Sequence, residues 1–410
     1  MRYDGAMRCS LAVLVAATLT GCGFQLTGAL GDGGGVDAAP DGSSQDGAID
    51  APVDAPPDAP PDAPPDARAC FGSSLVAICL AEIPTQPLTL SGTIDTTMDA
   101  SCTQSLAQSD GTSACVIAAT SITIDASYTA IGTRPLVLIA TDTISITGTL
   151  DVSSTFARTG AGADVAPPCS VLAYAAQQGE DDTGGAGGGA GGGFGTPGGA
   201  GGTGDLNTSA APSGTGLGGA AGGPQPAPTV LRGGCPGAPG GDGGQLRAPG
   251  GRSGGAVFLI AGTAITIDGN VFASGSGGPT SQSGNPYEQG GGGGGSGGMI
   301  GIDAPSIAIT GRVVANGGGG GGGGNLVSGG LGAHGTTTSY DQLASGGTGA
   351  PSSNSGPGGT GGLGAAVAAS GGSGGDGDCG GGGGGGGLGI VWVDGTVVGA
   401  ARFSPAPTAH

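Results

Sequence analysis

The chain has 410 residues, of which 102 are Gly and 28 are Pro, and its formal net charge is −20. A surface this acidic repels nucleic acid and anionic lipid headgroups, so neither is an expected partner. All ten basic residues are Arg, and the absence of Lys excludes a phosphate-binding P-loop, a Schiff-base Lys and a Ser–Lys dyad.

The first segment, 1–21, has the features of a bacterial secretion signal. Two Arg precede an apolar stretch, 11–19, that is too short to span a bilayer stably. A Leu-Thr-Gly-Cys motif ending at Cys22 follows and resembles the lipobox of bacterial lipoproteins. The resemblance implies that Cys22 becomes the acylated N-terminus, and that Gly23 after it favours the outer membrane. The alternative is an ordinary signal peptide with an incidental Cys.

Residues 22–69 have the composition of an acidic tether. Asp recurs throughout and settles into Asp-Ala-Pro-Pro repeats from Asp54. Pro favours polyproline II, and regularly spaced carboxylates repel one another, so we expect an extended and hydrated segment. At ~3.1 Å per residue, such a stalk reaches on the order of 140 Å from the membrane.

The C-terminal part contains apolar blocks of one repeated pattern: a hydrophobic strand, a short break, then Ile-x-Ile-x-Gly-x-[Leu/Val]. Gapless copies start at Leu136, Val257 and Met299, and another lies 22 residues before the first. Shorter forms occur at 88–94 and 391–397. Adjacent copies predict an all-β fold, a parallel β-helix (β-solenoid) in which each turn buries its apolar face on the next. A β-sandwich is the alternative, although antiparallel strands need not keep a gapless register.

Each block predicts one inward face and one corner. Period-2 alternation places the two Ile of a block on the same face, so Ile144 and Ile146 should stack against Ile265 and Ile267. The Gly after each pair, such as Gly148, suits a corner that needs φ > 0.

Gly-rich segments interrupt this solenoid domain, 70–410, near 155–255, 276–298 and 317–387. They have too few apolar side chains for a core of their own, which leaves two alternatives. The segments are flexible loops, or they are packed polyglycine II helices with three residues per turn. Gly234 begins a run of Gly at every third position that is compatible with the second alternative.

The cysteines indicate disulfides. An exported chain permits them, and removal of the signal with acylation of Cys22 leaves an odd number, so Cys379 would be unpaired. Without any CxxC motif, and with only 2 His, no metal site is predicted. The candidate pairs are Cys70 with Cys79, Cys102 with Cys115, and Cys169 with Cys235.

Catalytic and calcium-binding motifs are incomplete. Asp268 and Arg312, at outward positions of the strand blocks, are the best candidates for a carboxylate with an adjacent base, but no pair of Asp accompanies them. The string Gly371–Asp376 matches the first six positions of the calcium nonapeptide repeat without a tandem copy. We therefore expect no catalytic residue and no cofactor, with Ca²⁺ as an alternative.

The whole layout resembles one family. The lipobox, the Asp-Ala-Pro-Pro tether, the Cys-flanked first coils and the Ile-x-Ile-x-Gly blocks between poly-Gly tracts are similar to Gly-rich lipoproteins of myxobacterial type, with a pectate-lyase-like β-helix core. The resemblance implies an outer-membrane location, lipid-anchored and facing the periplasm or the cell surface, and no particular activity.

We therefore expect a non-enzymatic cell-envelope lipoprotein with a structural or adhesive surface role. Its expected partners are the membrane, through the lipid anchor, and glycans or envelope proteins. The alternative is a carbohydrate-active enzyme on a β-helix scaffold.

Overall fold

The apolar blocks form β-strands, and the described residues contain no α-helix and only one short 3-10 helix, Asp99–Ser101. The signal, the tether and Cys22 lie outside the described residues. No helix in the described part has the length and apolarity needed to cross a bilayer. The computed structural model describes residues 70–73, 75–164, 169–173, 175–182, 184–205, 216–243, 247–280, 288–335, 342–351 and 354–409.

The strands are short except where a whole apolar block is continuous. They are β1 (Cys70–Phe71), β2 (Ile78–Cys79), β3 (Leu88–Thr89), β4 (Gly92–Asp95), β5 (Gln104–Ala107), β6 (Ser113–Ile124), β7 (Ser127–Ile131), β8 (Leu136–Ile146), β9 (Thr149–Asp151), β10 (Ala256–Ala261), β11 (Ala264–Ile267), β12 (Asn270–Phe272), β13 (Met299–Ile309), β14 (Arg312–Val314), β15 (Ile390–Val398), β16 (Arg402–Ser404) and β17 (Thr408–Ala409).

Two larger sheets both follow the order of the chain. The first has the order β17-β15-β13-β10-β8-β6-β3, and β11 pairs with the same two neighbours as β10, namely β8 and β13. Its ladders are parallel, apart from β5, which pairs antiparallel with β6. The second sheet, β16-β14-β12-β9-β7-β4, is parallel throughout. The prediction of an all-β chain with parallel sheets is confirmed.

The paired Ile of the blocks stack as predicted. Ile144 lies opposite Ile122 on one neighbouring strand and Ile265 on the other, and Ile265 lies opposite Ile307. These side chains are buried in one continuous apolar cluster. Burial of each Ile contributes roughly 1.5–3 kcal/mol, so this column is a major source of stability.

The gapless alignment is wrong by one residue in the first half of two blocks. Val257 pairs with Leu136 as predicted, but it pairs with Ile300 and not with Met299. In the block before, Leu136 pairs with Cys115. Because side chains alternate between faces, the offset places Met299 on the opposite side of the sheet, in a second apolar cluster. The second halves of the blocks keep the predicted register.

The C-terminal block also aligns differently from the prediction. Val391 and Val393 pair with Ile300 and Ile302, in the first half of the preceding block, and not with its Ile-x-Ile pair. The same alternation of inward side chains occurs in both halves of a block, so the sequence pattern alone did not distinguish them.

The glycine at three corners has a different cause from the predicted one, whereas Gly92 and Gly395 adopt the predicted positive φ, of 80° and 130°. Gly148, Gly269 and Gly311 do not adopt a left-handed φ. A Cβ on Gly269 would overlap the carbonyl oxygen of Gly148, and a Cβ on Gly311 would overlap that of Gly269. Glycine is required there because successive turns approach too closely for a side chain.

The first sheet is buried on both faces. Leu136 and Leu138 face the cluster that contains the stacked Ile, whereas Val137 and Phe258 face a second cluster that includes Phe194 of a Gly-rich segment. Near-continuous apolar runs are typical of parallel sheets covered on both sides. The Gly-rich part of the chain therefore covers one face of the first sheet.

The Gly-rich segments are ordered by hydrogen bonds to one another. We name them p1 to p14. They are p1 (177–180), p2 (185–194), p3 (197–205), p4 (216–225), p5 (233–243), p6 (247–255), p7 (273–280), p8 (288–298), p9 (316–324), p10 (328–335), p11 (343–350), p12 (354–362), p13 (368–375) and p14 (379–389), each defined by its bonds to neighbouring segments.

Hydrogen bonding in p14 has a period of three residues. Gly380 donates its N–H to p9, Gly381 to p2 and Gly382 to p13. The same order then repeats from Gly383, with N···O distances between 2.8 and 2.9 Å up to Gly387. This period is that of a polyproline II helix, in which three residues make one turn. Of the two alternatives for these segments, the packed polyglycine II helices are confirmed for the described residues.

The central helices are surrounded on all sides by other helices. Segment p14 donates to p9, p2 and p13 and accepts from p8, p12 and p3, while p8 donates to p5, p14 and p7 and accepts from p2, p9 and p6. Gly234, Gly237 and Gly240, the run seen in the sequence, donate in the same way to p6. We call the whole assembly p1 to p14 the glycine bundle.

Side-chain size is set by position in the bundle. A Cβ on Gly383 would overlap the carbonyl oxygen of Gly292, and most other Gly of p8, p9 and p14 meet neighbouring backbone in the same way. An outer segment, 342–350, tolerates side chains on its free side. Its buried residues recur at every third position, at Ala344, Gly347 and Ala350, and the residues between them are exposed or partly exposed. Unbroken Gly therefore marks the interior, and Gly-Gly-x marks the periphery.

Replacing Ile267 by Asp tests the stacked column. Ile267 is fully buried between Ile146 and Ile309, and an unpaired charge there should lower the free energy of unfolding by at least about 3 kcal/mol in urea titrations. The control is Thr266→Asp on the other face of the same strand, for which we expect a change within about 1 kcal/mol. Equal stability of the two variants would contradict the inward position of Ile267.

Replacing Gly383 by Ala tests the close packing of the bundle. The added methyl has no space, so the variant should lose about 2 kcal/mol or more in the same titrations. Gly184→Ala is the matched control, because the nearest atom to its Cβ is 3.7 Å away; a change of no more than ~1 kcal/mol is expected there. A Gly383→Ala protein as stable as the wild type would show that the helices are further apart than described.

Candidate functional site

The end of the glycine bundle remote from the sheets is the candidate functional site. Segments p8 and p14 run directly into β13 and β15 at their C-terminal ends. At ~3.1 Å per residue, their first residues lie about 30 Å along the helix from the strands. We call this end, with residues 180–182 and 184 and the turns at 325–327 and 376–378, the distal face.

The turn at 376–378 is held in place from two sides. The buried carboxylate of Asp205 accepts hydrogen bonds from the backbone N–H groups of Gly377 and Asp378, both at 2.9 Å. From the other side, the Asn325 side-chain amide donates to the carbonyl oxygen of Gly377 at 2.7 Å and lies 3.1 Å from the Cys379 sulfur. Two such anchors give the turn a fixed shape.

A cleft of about 770 Å³ lies beside this turn. Two apolar side chains at its edge are exposed: Leu326 is 64% exposed and Val327 is 46% exposed. Exposed apolar groups next to a shaped polar cleft are typical of interaction surfaces. The cleft is lined by Asn325, Leu326, Val327, Ser328, Pro351, Asn354, Asp376, Gly377 and Cys379.

The distal face is acidic. Arg247 is the basic residue that the described part places there, and it forms an ion pair with Asp181. The pKa of Glu288 is raised by burial and by the neighbouring carboxylates of Asp378 and Asp182. The carboxylates at this end of the bundle are Glu180, Asp181, Asp182, Asp205, Asp242, Glu288, Asp376 and Asp378.

Within the described ranges, no group of three or more His, Cys, Asp or Glu side chains is placed to hold a metal ion. The thiol of Cys379 is buried, and its contacts are the Asn325 amide and the carbonyl oxygens of Asp376 and Gly377. What the face offers a partner is charge, a shaped cleft and exposed apolar side chains.

The sequence candidates for catalysis lie on neighbouring turns, two register positions apart. Asp268 accepts a hydrogen bond from the Thr310 hydroxyl at 2.6 Å at the corner between the two sheets. Arg312 lies on β14, with Asn270 as its register partner, and the Asn270 side chain bonds to Thr149 at 3.2 Å. The structure therefore places Asp268 in a corner network of hydroxyl and amide groups.

The calcium-like string does not form a loop. Gly371 and Gly374 lie in p13 and donate to p3, while Gly372 donates to p12. Asp376, the acidic residue that ends the string, begins the distal turn. Most of the string therefore lies in an outer bundle helix with a Gly-Gly-x pattern.

Three disulfides join the cysteines in the pairs that their spacing indicated, Cys70–Cys79, Cys102–Cys115 and Cys169–Cys235. The last one lies at the base of the bundle. There the buried guanidinium of Arg232 lies 5.2 Å from the centre of the Phe194 ring, and burial lowers the pKa of Arg232 to about 10. The disulfides are structural, and none lies on the distal face.

Sequence reasoning missed the distal face. Its residues lie up to 200 positions apart and meet only because the bundle brings many chain reversals to one end. The available signal was the position of acidic and apolar residues at the ends of the Gly tracts, such as Glu288 at the start of p8 and Asp378 just before p14.

No protein-family model, no curated protein and no solved structure matches this chain.

The raised pKa of Glu288 predicts a pH dependence of stability. The folded state favours the protonated form, so this group's contribution to stability is complete below its unfolded pKa, near 4.5, and is lost as the pH rises through the folded pKa. Glu288→Gln should therefore raise the melting temperature at about pH 7 and have little effect at about pH 3.5. The control is Glu82→Gln, an exposed residue outside the distal face. A Glu288→Gln protein that melts lower at neutral pH would contradict the like-charge arrangement.

Proposed function

We propose that this protein is a non-enzymatic cell-envelope lipoprotein with a structural or adhesive surface role. Residues 22–69 serve as a tether, and Cys22 carries the lipid that anchors it in the outer membrane. The observation that carries the proposal is the glycine bundle, which holds an acidic, partly apolar face about 30 Å from the strands.

A parallel β-helix is the proposed form of the strand region. Two observations support it: both large sheets follow the chain order, and successive blocks lie side by side in parallel with their Ile in register. On this proposal the β-helix supports the glycine bundle, and the bundle consists of the Gly-rich segments inserted between the later turns of the β-helix.

Rigidity is the physical advantage of the bundle for such a role. A flexible Gly-rich loop loses conformational entropy when a partner binds, since Gly has the greatest backbone freedom to lose. In the bundle that entropy is already lost on folding, and the helices hold the distal turns in fixed positions. Preorganised contacts of this kind give tighter binding for the same buried area.

The acidic distal face favours neutral or basic partners. Glycans and envelope proteins are the proposed classes, and the exposed Leu326 and Val327 supply the apolar contacts that dominate binding energy at such surfaces. The likeness to Gly-rich lipoproteins of myxobacterial type supports the same envelope location.

The adhesive role can be tested with cells that display the full chain. Leu326→Ser on the distal face should reduce retention on envelope-coated surfaces about tenfold, equivalent to ~1.4 kcal/mol of binding free energy. The matched control is Val367→Ser, because Val367 is 66% exposed and lies at the opposite end of the bundle. Cys22→Ser, which should release the protein into the medium, gives the background.

Two outcomes would contradict the proposal. Retention could fall equally for Leu326→Ser and Val367→Ser, or stay unchanged in both, and the distal face would then have no adhesive role. Alternatively, the purified protein could depolymerise a polysaccharide in a broad panel, which would establish a carbohydrate-active enzyme.

A further inference from the structure

A second cleft, away from the distal face, has the chemistry of an anion site. It has a volume of about 510 Å³ and lies between the strand end after β9 and the outer helices p6, p7 and p10. Such a volume is within the range of about 300–1,000 Å³ that is usual for small-molecule sites. It is lined by Phe156, Pro249, Gly250, Arg252, Ser276, Pro279, Thr280 and Leu331.

One cation lies in this cleft, and no acid lines it. Arg252 is exposed, and its Nη1 donates to the Thr159 hydroxyl. Across the described ranges no carboxylate forms an ion pair with it. The acid that it influences electrostatically is Asp164, whose carboxylate already accepts bonds from the Ser253 N–H and hydroxyl at 2.7 and 3.0 Å. In a chain with a net charge of −20, a guanidinium without an ion-pair partner among the described residues attracts an external anion.

The rest of the cleft is apolar and flat. Phe156 is 38% exposed although its ring lies 4.4 Å from that of His334, and Leu331 is 53% exposed. The rings of Pro249 and Pro279 form further flat walls. A planar apolar body fits such a space, with an aromatic ring able to pack against the Phe156 ring.

One polar atom in the wall has no partner. The Oγ1 of Thr280 is buried and makes no hydrogen bond within the described ranges. That oxygen has almost no accessible surface, so the donor that a ligand in the cleft meets is the exposed Arg252 guanidinium. A guanidinium beside apolar walls matches a carboxylate attached to a ring.

We infer that this cleft binds a small aryl carboxylate, with Arg252 holding the carboxylate and Phe156 covering the ring. The inference does not rest on the proposed adhesive role, because the two sites share no residue. It requires no covalent step: the ligand binds as the anion and leaves unchanged.

Calorimetric titration of the full chain with phenylacetate tests the inference. We expect saturable binding with a Kd on the order of 1 mM, weakened by added salt because the contact is ionic. Phenylacetamide, which has the same shape without the charge, should bind at least about tenfold more weakly. Both compounds are compared on the wild-type protein, so this result does not depend on whether a variant folds.

Variants then assign the binding to the cleft. Arg252→Gln should weaken phenylacetate binding about tenfold or more, and Arg247→Gln, an exposed Arg of the distal face, should leave it unchanged. Absence of saturable binding to the wild type, equal affinity for phenylacetamide, or full binding by Arg252→Gln would each overturn the inference. Tighter binding of a peptide that ends in Phe with a free carboxylate would make a polypeptide terminus the occupant and overturn the small-acid assignment.

Discussion

Backbone hydrogen bonding within the glycine bundle is the constraint on which the rest of the structure depends. A buried N–H or C=O without a partner is costly, and Gly segments have no side chains to supply one. In the central helices of the bundle, successive N–H groups donate to three different neighbours, with the period of the polyproline II helix. Because each helix depends on its neighbours for hydrogen-bond partners, the Gly-rich segments form one cooperative assembly and cannot become ordered independently.

That assembly and the strand region stabilise each other. The strands supply large apolar side chains in register, whereas the bundle supplies close-packed backbone and few side chains. They meet at the second apolar cluster, where Phe194 and Leu231 from the Gly-rich part cover Phe258 and Trp392 of the first sheet. The Cys169–Cys235 bond closes the same junction. A sheet buried on both faces and a bundle fixed at one end are the two results.

Function follows from what this geometry leaves accessible. Most Gly of the interior helices have no space for a side chain, so the accessible side chains lie on the outer helices, the turns and the clefts between them. The distal face collects carboxylates and exposed apolar side chains at the turns, and the cleft at Arg252 combines one cation with flat apolar walls. Both lie on a preorganised scaffold, and preorganisation favours binding because less conformational entropy is lost.

The sequence by itself determined the parallel all-β class, the stacked Ile column and the disulfide partners, because period-2 alternation and local Cys spacing depend only on neighbouring residues. It also allowed polyglycine II helices without requiring them. Only the tertiary structure showed that the Gly-rich segments form these helices. It also revealed the one-residue offset that moves Met299 to the other face of the sheet, and the close approach of neighbouring backbone that requires Gly at position 148. It also decided which distant residues meet at Asn325 and Arg252. These features depend on which segments are neighbours in space, and a Gly tract has no side-chain pattern from which its neighbours could be predicted.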